Sequence, residues 1–452
     1  MIKSPSTSFD ITTDQLAHAL TAHDERGIVS ALAPLDTTEV IEQFERLNAA
    51  ERGLVYAALR PEVAQHVFDR LDTSLQVEIV EQLSETEAAT VFALMRPDDR
   101  VALADELPES MVAALMHGLD ERSRTLTTAV RSYPHRAVGR FMSPEFVTTD
   151  PTLDAGATLE RVRARLDDAE SIYTIPVIDA QARLIGVISL RDVLRADPST
   201  SISSIMKKPL SVVASMNVED AARYCAETKV LVLPVIDEGD RLVGILTVDD
   251  ALRILEDAES EDAARSGGSE PLRRPYLATP VRSIVKARVV WLLVLALGAT
   301  LTVKVIGAFE ATLEAQVVLS LFIPLLIGTG GNTGNQAATT ITRALALGDV
   351  RPRDVFKVFT REVRVGALLG LLLGSLGFVI AALAFTVPLG LVIGLTLLGV
   401  CTMAASLGGL MPLLGKAVRA DPAVFSNPFI STFVDATGLI IYFLVASTIL
   451  GL

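Results

Sequence analysis

The chain has 452 residues, with 54 acidic side chains against 40 basic ones, a formal net charge of −14 and 50% hydrophobic residues. These averages conceal a partition: residues 1–288 carry a net charge of −16, whereas residues 289–452 hold only 7 acidic and 9 basic side chains, net +2. An acidic, water-soluble part is joined to an apolar part nearly free of charge, which predicts a membrane protein with a cytosolic domain and argues against nucleic acid as a partner.

Two distant cysteines, Cys225 and Cys401, give no disulfide framework, and the five histidines show no metal-ligand spacing. The opening MIKSPSTSFDITTD lacks the apolar core of a signal peptide, so the soluble part is expected to stay where it is made.

From residue 47 an apolar residue recurs every 12 positions: Leu47, Leu59, Leu71, Leu83, Met95, Leu107 and Leu119. A second series, Val55, Val67, Ile79, Val91, Leu103 and Leu115, runs eight positions later. Helix starters follow most of the first series: Asp72, Ser84 with Glu87 as a capping box, Pro97 with Asp98, Pro108 and Asp120. One short helix and a turn cannot bury its own face, so the units are expected to stack into a superhelix. Such a stack serves as a rigid scaffold, or its acidic surface docks another domain through a bridging cation. The stretch MRPDDRVALADELPE resembles the N-terminal domain of the MgtE family.

A second repeat follows. IPVIDAQARLIGVISLRDVL (175–194) matches LPVIDEGDRLVGILTVDDAL (233–252) at a constant offset of 58, sharing Pro176/Pro234, Asp179/Asp237, Gly186/Gly244 and Asp192/Asp250. Each copy reads as strand, polar turn, strand, helix, and each follows a Met-Ser-Pro-like entry, FMSPEF at 141 and IMKKPL at 205. This resembles a tandem pair of CBS domains. The resemblance implies a nucleotide contact motif, Gly-x-x-Ser/Thr-x-x-Asp, here Gly186-Ser189-Asp192 and Gly244-Thr247-Asp250. Hydroxyl and carboxylate acceptors at a helix start suit the ribose of ATP or another adenosine nucleotide, and the helix N-terminus suits a phosphate. Equally, Ser189 or Thr247 simply caps its helix.

The connector changes sign along its length. LEDAESEDAARSGG (255–268) is acidic, and EPLRRPYLATPVRSIVKAR (270–288) is basic and punctuated by proline. It resembles the connecting, or plug, helix of MgtE proteins. Its carboxylates repel one another unless a cation neutralises them.

Five spans follow at about 20 apolar residues each: 289–309, one within 315–342, two in the uncharged run 365–415 broken near Pro388, and 426–450. Basic residues cluster before the first span, between the second and third, and after the fourth. The positive-inside rule then places the N-terminus in the cytoplasm and the C-terminus outside. In the second span, IPLLIGTGGNTGNQAAT (323–339) places Gly328, Gly330, Gly331 and Gly334 within 7 residues, which is expected to weaken the helix, beside the amides of Asn332, Asn335 and Gln336. Close packing through small residues is the competing reading, and it is the one expected of Gly366, Gly370 and Gly374. In the last span Asp435 is the only charge in the 31 residues from Pro422 to Leu452. A carboxylate there costs about 3 kcal/mol on insertion scales and needs a partner. No basic residue lies clearly at its depth, so a transported cation fits better than a protonated structural acid.

GTGGNTGNQAAT, YLATPVRSIVKARVVWLLVL and DPAVFSNPFISTFVDATGLIIYF resemble signature segments of the MgtE family, and with the two repeats the likeness covers nearly the whole chain. The resemblance implies an N-terminal helical superhelix over 1–138 and CBS domains over 139–200 and 201–256. A connecting helix and linker over 257–283 and a five-helix membrane domain over 284–452 complete the multi-domain α and α/β architecture. It further implies a homodimer in the bacterial cytoplasmic membrane, with a pore on the dimer axis lined by the second and fifth helices. Asp435 would then face its mate across the axis, with Asn427 near the cytoplasmic side and Asp421 at the cytoplasmic mouth.

Mg²⁺ demands octahedral oxygen geometry and gives up its waters reluctantly. Two Asp435 carboxylates around a hydrated ion, with Asn332 and backbone carbonyls such as that of Gly328 completing the outer shell, avoid that cost. The absence of soft ligands from the motif argues against Cu or Zn as cargo, while Co²⁺, Mn²⁺ and Ni²⁺ stay open. Mg²⁺ is therefore expected as substrate, and as regulator through Asp98, Asp99, Asp249, Asp250, Glu259, Glu261 and Asp262. An ion-coupled secondary transporter and a membrane-anchored CBS nucleotide sensor are the alternatives. No nucleophile–base pair suggests an enzyme.

Overall fold

A computed structural model describes residues 7–22, 24–272, 274–417 and 427–451, and the chain divides into two compact units. One comprises residues 1–258 with 273–279, the other residues 259–272 with 280–452.

The first unit opens with α1 (Thr7–Thr21) and α2 (Glu25–Leu32), and α2 already starts on the spacing of the repeat. Eight helices follow at the 12-residue period: α3 (Thr37–Arg46), α4 (Ala49–Ala58), α5 (Pro61–Phe68), α6 (Thr73–Gln82), α7 (Glu85–Leu94), α8 (Pro97–Glu106), α9 (Glu109–His117) and α10 (Glu121–Arg131). The two apolar series divide the work between them. Val55, Val67, Ile79 and Leu103 lie inside helices and are wholly buried. Leu47, Leu59, Leu83, Met95 and Leu107 are C-cap residues in extended conformation, and they turn the chain from one helix into the next. The capping box of Ser84 and Glu87 forms, as do two more, Asp36 with Glu39 and Asn48 with Glu51. Asp120 caps the amide of Ser123, whereas Asp72 stands at the N-cap position without a side-chain cap bond. Alternate helices pack on each other, α2 on α4, α4 on α6, α6 on α8, α8 on α10, α3 on α5 and α7 on α9, which makes a two-layered superhelix.

The second repeat gives α11 (Ala155–Arg163), β1 (Thr174–Ile178), β2 (Leu184–Ser189), α12 (Leu190–Arg195) and α13 (Ile202–Ile205). Then come β3 (Val212–Val213), α14 (Val218–Thr228), β4 (Val232–Ile236), β5 (Leu242–Thr247) and α15 (Val248–Ser266). β1 pairs antiparallel with β2 and β4 with β5, and β3 runs parallel to β4. The 58-residue offset holds to the residue, with Val177 opposite Gly186 and Val235 opposite Gly244. Those two glycines are required sterically, and by the other copy: a Cβ on Gly186 would lie 2.8 Å from Met206 Sδ, and one on Gly244 2.5 Å from Met142 Sδ. Each entry methionine therefore packs on the glycine of the opposite copy, which ties the pair together.

The acidic run does not form a connecting helix of its own. It continues α15 without interruption from the second CBS copy to Ser266, because no glycine or proline intervenes. Gly267 and Gly268 end it, Gly268 with φ +70°. A single 3₁₀ turn, Tyr276–Ala278, follows.

The second unit contains α16 (Val281–Ala308), α17 (Glu310–Ala315), α18 (Ile323–Ala346), α19 (Val355–Ala384), α20 (Val387–Ala417) and α21 (Asn427–Leu450). Five stretches are long and apolar enough to cross a membrane. The first helix begins eight residues before the apolar run suggested. The break between α19 and α20 falls at Phe385–Thr386, and Pro388 sits in the first turn of α20. The glycine-rich run leaves α18 unbroken, contrary to expectation. Its glycines are used for contact: a Cβ on Gly330 would meet Val400 at 2.6 Å and one on Gly334 would meet Ile430 at 2.7 Å. The irregular backbone lies just upstream, where a 3₁₀ segment spans Val317–Phe322. Gly366, Gly370 and Gly374 face α20 as expected, each within 2.7 Å of its backbone by the same measure.

Candidate functional site

In the membrane unit the helix that carries Asp435 is fixed by packing and by polar contacts. α18 lies against both α20 and α21. Asn335 Nδ2 donates to Ser431 Oγ at 3.1 Å, and Tyr442, buried, donates its hydroxyl to the Leu319 carbonyl at 2.9 Å. Asp435 stands eight residues into α21, about 12 Å along its axis at 1.5 Å per residue. It lies beside the backbone of α18: a Cβ on Gly331 would be 4.0 Å from Asp435 Oδ1 and 3.7 Å from Ser431 Oγ. Among the described residues none gives Asp435 a hydrogen bond or an ion pair. Gly328, Asn332 and Gln336, spaced four apart on α18, form one exposed stripe, and Gly328 has open space where a side chain would project. The expected amide and the expected backbone position thus lie on the helix that Asp435 adjoins. Asn427 is the first residue of α21, but its side chain, like the whole of Asp421, lies outside the described residues.

In the cytosolic unit a set of carboxylates collects where α8 meets the CBS pair. Asp98 is 8% exposed, and its Oδ1 has no hydrogen-bond partner. Burial pushes its pKa well above the ordinary range, and Asp99, Asp250 and Glu170 push it further. Burial likewise raises Asp99 and Asp250, and raises Glu170 to about 7. Asp249, exposed, adds its field to the set. Against these five carboxylates stand two guanidiniums. Arg96 pairs with Glu170, and Arg253 reaches Asp250 at 2.8 Å and Asp99 at 3.8 Å. A second acidic set adjoins the first turns of α15: burial raises Glu45, Asp72 and Asp257, and Glu256 repels both Asp72 and Asp257. Glu259, Glu261 and Asp262 fall in the other compact unit, where Glu261 pairs with Arg265. Among the described residues no three Asp, Glu, His or Cys side chains converge closely enough to cage a bare metal ion.

The two copies of the nucleotide motif differ in state. Ser189 Oγ accepts from the Asp192 amide at 3.1 Å, so it caps α12, and Asp192 takes the exposed Lys207 Nζ at 2.8 Å. In the second copy Thr247 donates to Asp250 Oδ2 at 2.5 Å, and Asp250 belongs to the acidic set under α8. The second aspartate is thus bonded to Thr247 and Arg253 and lies in the field of Asp98 and Asp99, whereas the first is bonded to Lys207.

These features agree with what other proteins show. A family profile described as "Divalent cation transporter" (MgtE) matches residues 323–445, the MgtE intracellular N domain matches 13–136, and the CBS domain matches 138–199 and 202–257. The protein named magnesium transporter MgtE from Thermus thermophilus is 40% identical over 336 residues, 74% of either chain. The chain belongs to the MgtE family. A second MgtE relative, from Enterococcus faecalis, is 32% identical over 317 residues, 70% of this chain and 69% of that one. Among solved structures, the cytosolic domain of the Mg²⁺ channel MgtE in complex with ATP aligns with 54% of this chain and 100% of its own, at 32% identity and a TM-score of 0.49.

Motif reading missed Glu170, and it missed that Glu45 and Asp72 join Glu256 and Asp257 of the acidic run. Glu170 lies in a short acidic stretch, DDAES (167–171), that carries no repeat signal. That stretch was the only cue available.

Proposed function

We propose that the chain carries Mg²⁺ inward across the bacterial cytoplasmic membrane as a homodimeric channel, and that cytosolic Mg²⁺ closes it. The observation that carries this reading is Asp435, a carboxylate in an apolar helix with no hydrogen-bond or ion-pair partner among the described residues, beside an exposed stripe on α18. On a two-fold axis the stripe of one copy would face its mate, and two Asp435 carboxylates would accept hydrogen bonds from the water shell of the ion. Asn332 and the carbonyl of Gly328 would serve the same shell. A hydrated ion needs no tight cage. The C-terminus is then external, and Asp421 and Asn427 lie on the cytoplasmic approach.

The regulatory half follows from electrostatics. Five carboxylates against two guanidiniums repel, and the helical repeat can stay on the CBS pair only when protons or a divalent ion remove the excess charge. Mg²⁺ bridging Asp98, Asp99, Asp249 and Asp250, and acting on Glu259, Glu261 and Asp262, would favour the compact form. The response is bounded by the difference in affinity between the two forms. A nucleotide is assigned to the first CBS copy, at Ser189 and Asp192, because Asp250 beside Thr247 lies in the buried acidic set, whereas Asp192 pairs with the exposed Lys207. Uptake of Mg²⁺ by proteoliposomes tests the pore. Asp435→Ala should abolish uptake in a folded dimer, and wild-type uptake by that variant would overturn the assignment.

A further inference from the structure

One buried ion-pair system of the cytosolic unit is not short of positive charge. Glu78 on α6, 7% exposed, takes two guanidiniums, Arg52 on Oε2 and Arg274 on Oε1. Arg52, 1% exposed, also donates to the carbonyls of Phe44 at 2.9 Å and Leu47 at 2.5 Å. Its counterpart four repeat units on, Arg100, repeats the bond to the Phe carbonyl, here Phe92 at 2.8 Å, and takes Ala93 at 2.7 Å in place of the Leu47 equivalent. The remaining nitrogen of Arg100 meets only the Thr127 hydroxyl, at 3.3 Å. The repeat therefore needs a donor to the Phe carbonyl, a part that Gln76 plays on Phe68, but not a carboxylate. Glu78 is an addition, and what it adds is a site for Arg274.

Arg274 does not belong to the repeat. It starts the short segment 274–279 that ends two residues before α16. The segment is closed on itself: the buried Thr279 hydroxyl donates to the carbonyls of Pro275 at 3.0 Å and Arg274 at 3.3 Å. It is also held at both ends, by Arg274 on Glu78 and by Ala278 against the apolar core of the repeat.

We propose that the Glu78–Arg274 pair is a metal-independent tether through which the helical repeat holds the chain entering the first membrane helix. Movement of the repeat then reaches α16 through residues 274–280, in addition to any path along α15. The coupling rests on the reading that cytosolic Mg²⁺ moves the repeat. Glu78, already neutralised by two cations, has no charge left to attract Mg²⁺, so the tether itself does not sense the ion. The charges also show which partner can be removed. Without Arg274, Glu78 stays paired with Arg52 and no buried charge is stranded. Without Glu78, Arg52 and Arg274 both lose their carboxylate, so the packing of the repeat and the tether would change together.

The test uses the full-length protein in liposomes, comparing wild type, Arg274→Ala and Arg274→Lys. Hydrogen exchange at Tyr276–Thr279 should be at least about tenfold faster in Arg274→Ala, with and without Mg²⁺. Half-inhibition of uptake should need about fivefold more cytosolic Mg²⁺, the lower end of typical allosteric coupling. Uptake at low Mg²⁺ should be unchanged, and Arg274→Lys should recover part of both effects. Unchanged exchange overturns the tether. Faster exchange with an unshifted Mg²⁺ response overturns the coupling. A wild type indifferent to Mg²⁺ removes the gating reading and the coupling with it, while exchange still decides whether the segment is held.

Discussion

Glu170→Gln isolates the repulsion that is held to set the sensor. Glu170 is 13% exposed in its side chain, and burial raises its pKa from 4.5 to about 7 even though Arg96 opposes the rise. At 1.36 kcal/mol for each pKa unit, the charged form costs the docked arrangement about 3 kcal/mol near neutral pH. Gln keeps the shape and removes the charge, and the exposed Arg96 is left in water at little cost. The docked form of the variant should therefore gain up to about 3 kcal/mol, roughly two orders of magnitude in its equilibrium. Hydrogen exchange of the α8 amides, measured without Mg²⁺ on the full-length protein, reads this directly. The variant should show in chelator the protection that wild type shows only in Mg²⁺. Exchange equal to or faster than wild type in chelator would refute the repulsion argument, because loss of a ligand alone cannot add protection when no ion is present.

Other outcomes follow from the same physics. Because the pKa values of Asp98, Asp99, Asp250 and Glu170 are raised, protons favour the docked form. That help is present in acid and is lost as pH rises through about 7 for Glu170, so the Mg²⁺ midpoint for α8 protection should be higher at pH 8 than at pH 6. A pH-independent midpoint would contradict it. Gly408→Ala should prevent a monodisperse membrane domain, since its Cβ would lie 2.1 Å from the Gly334 carbonyl oxygen. Gly328→Ala, with nothing within 4 Å, should leave the fold intact, as size-exclusion chromatography in detergent would show. In calorimetry with ATP, ADP or AMP, Asp192→Ala should weaken binding more than Asp250→Ala. The reverse order would move the nucleotide to the second copy.

The parts of the fold with a repeat were legible because repetition makes a signal that a single residue lacks. The 12-residue period located eight helices, although it did not show that five residues of its first apolar series are caps rather than helix faces. The 58-residue offset located both CBS copies and their glycines, but not the crossing of Met142 and Met206, which joins residues far apart in sequence. α1 and α2 lie before the apolar series begins and were not distinguished, although α2 keeps the 12-residue spacing. The glycine run of α18 was misjudged because helix propensity ranks glycine low, and tight packing on Val400, Ile430 and Val434 outweighs that preference. Asp435 was legible as a lone charge in an apolar run. Glu170, Glu78 and Arg274 were not, since each becomes significant only through partners from distant elements.

Electrical recording from the purified protein, with free Mg²⁺ varied on the cytosolic face, tests the central claim most directly. A Mg²⁺ current is expected at low cytosolic Mg²⁺ that shuts as the ion rises through the millimolar range, with silence at every concentration in Asp435→Asn. A current that ignores cytosolic Mg²⁺ and survives in Asp435→Asn would contradict both the pore and its gate.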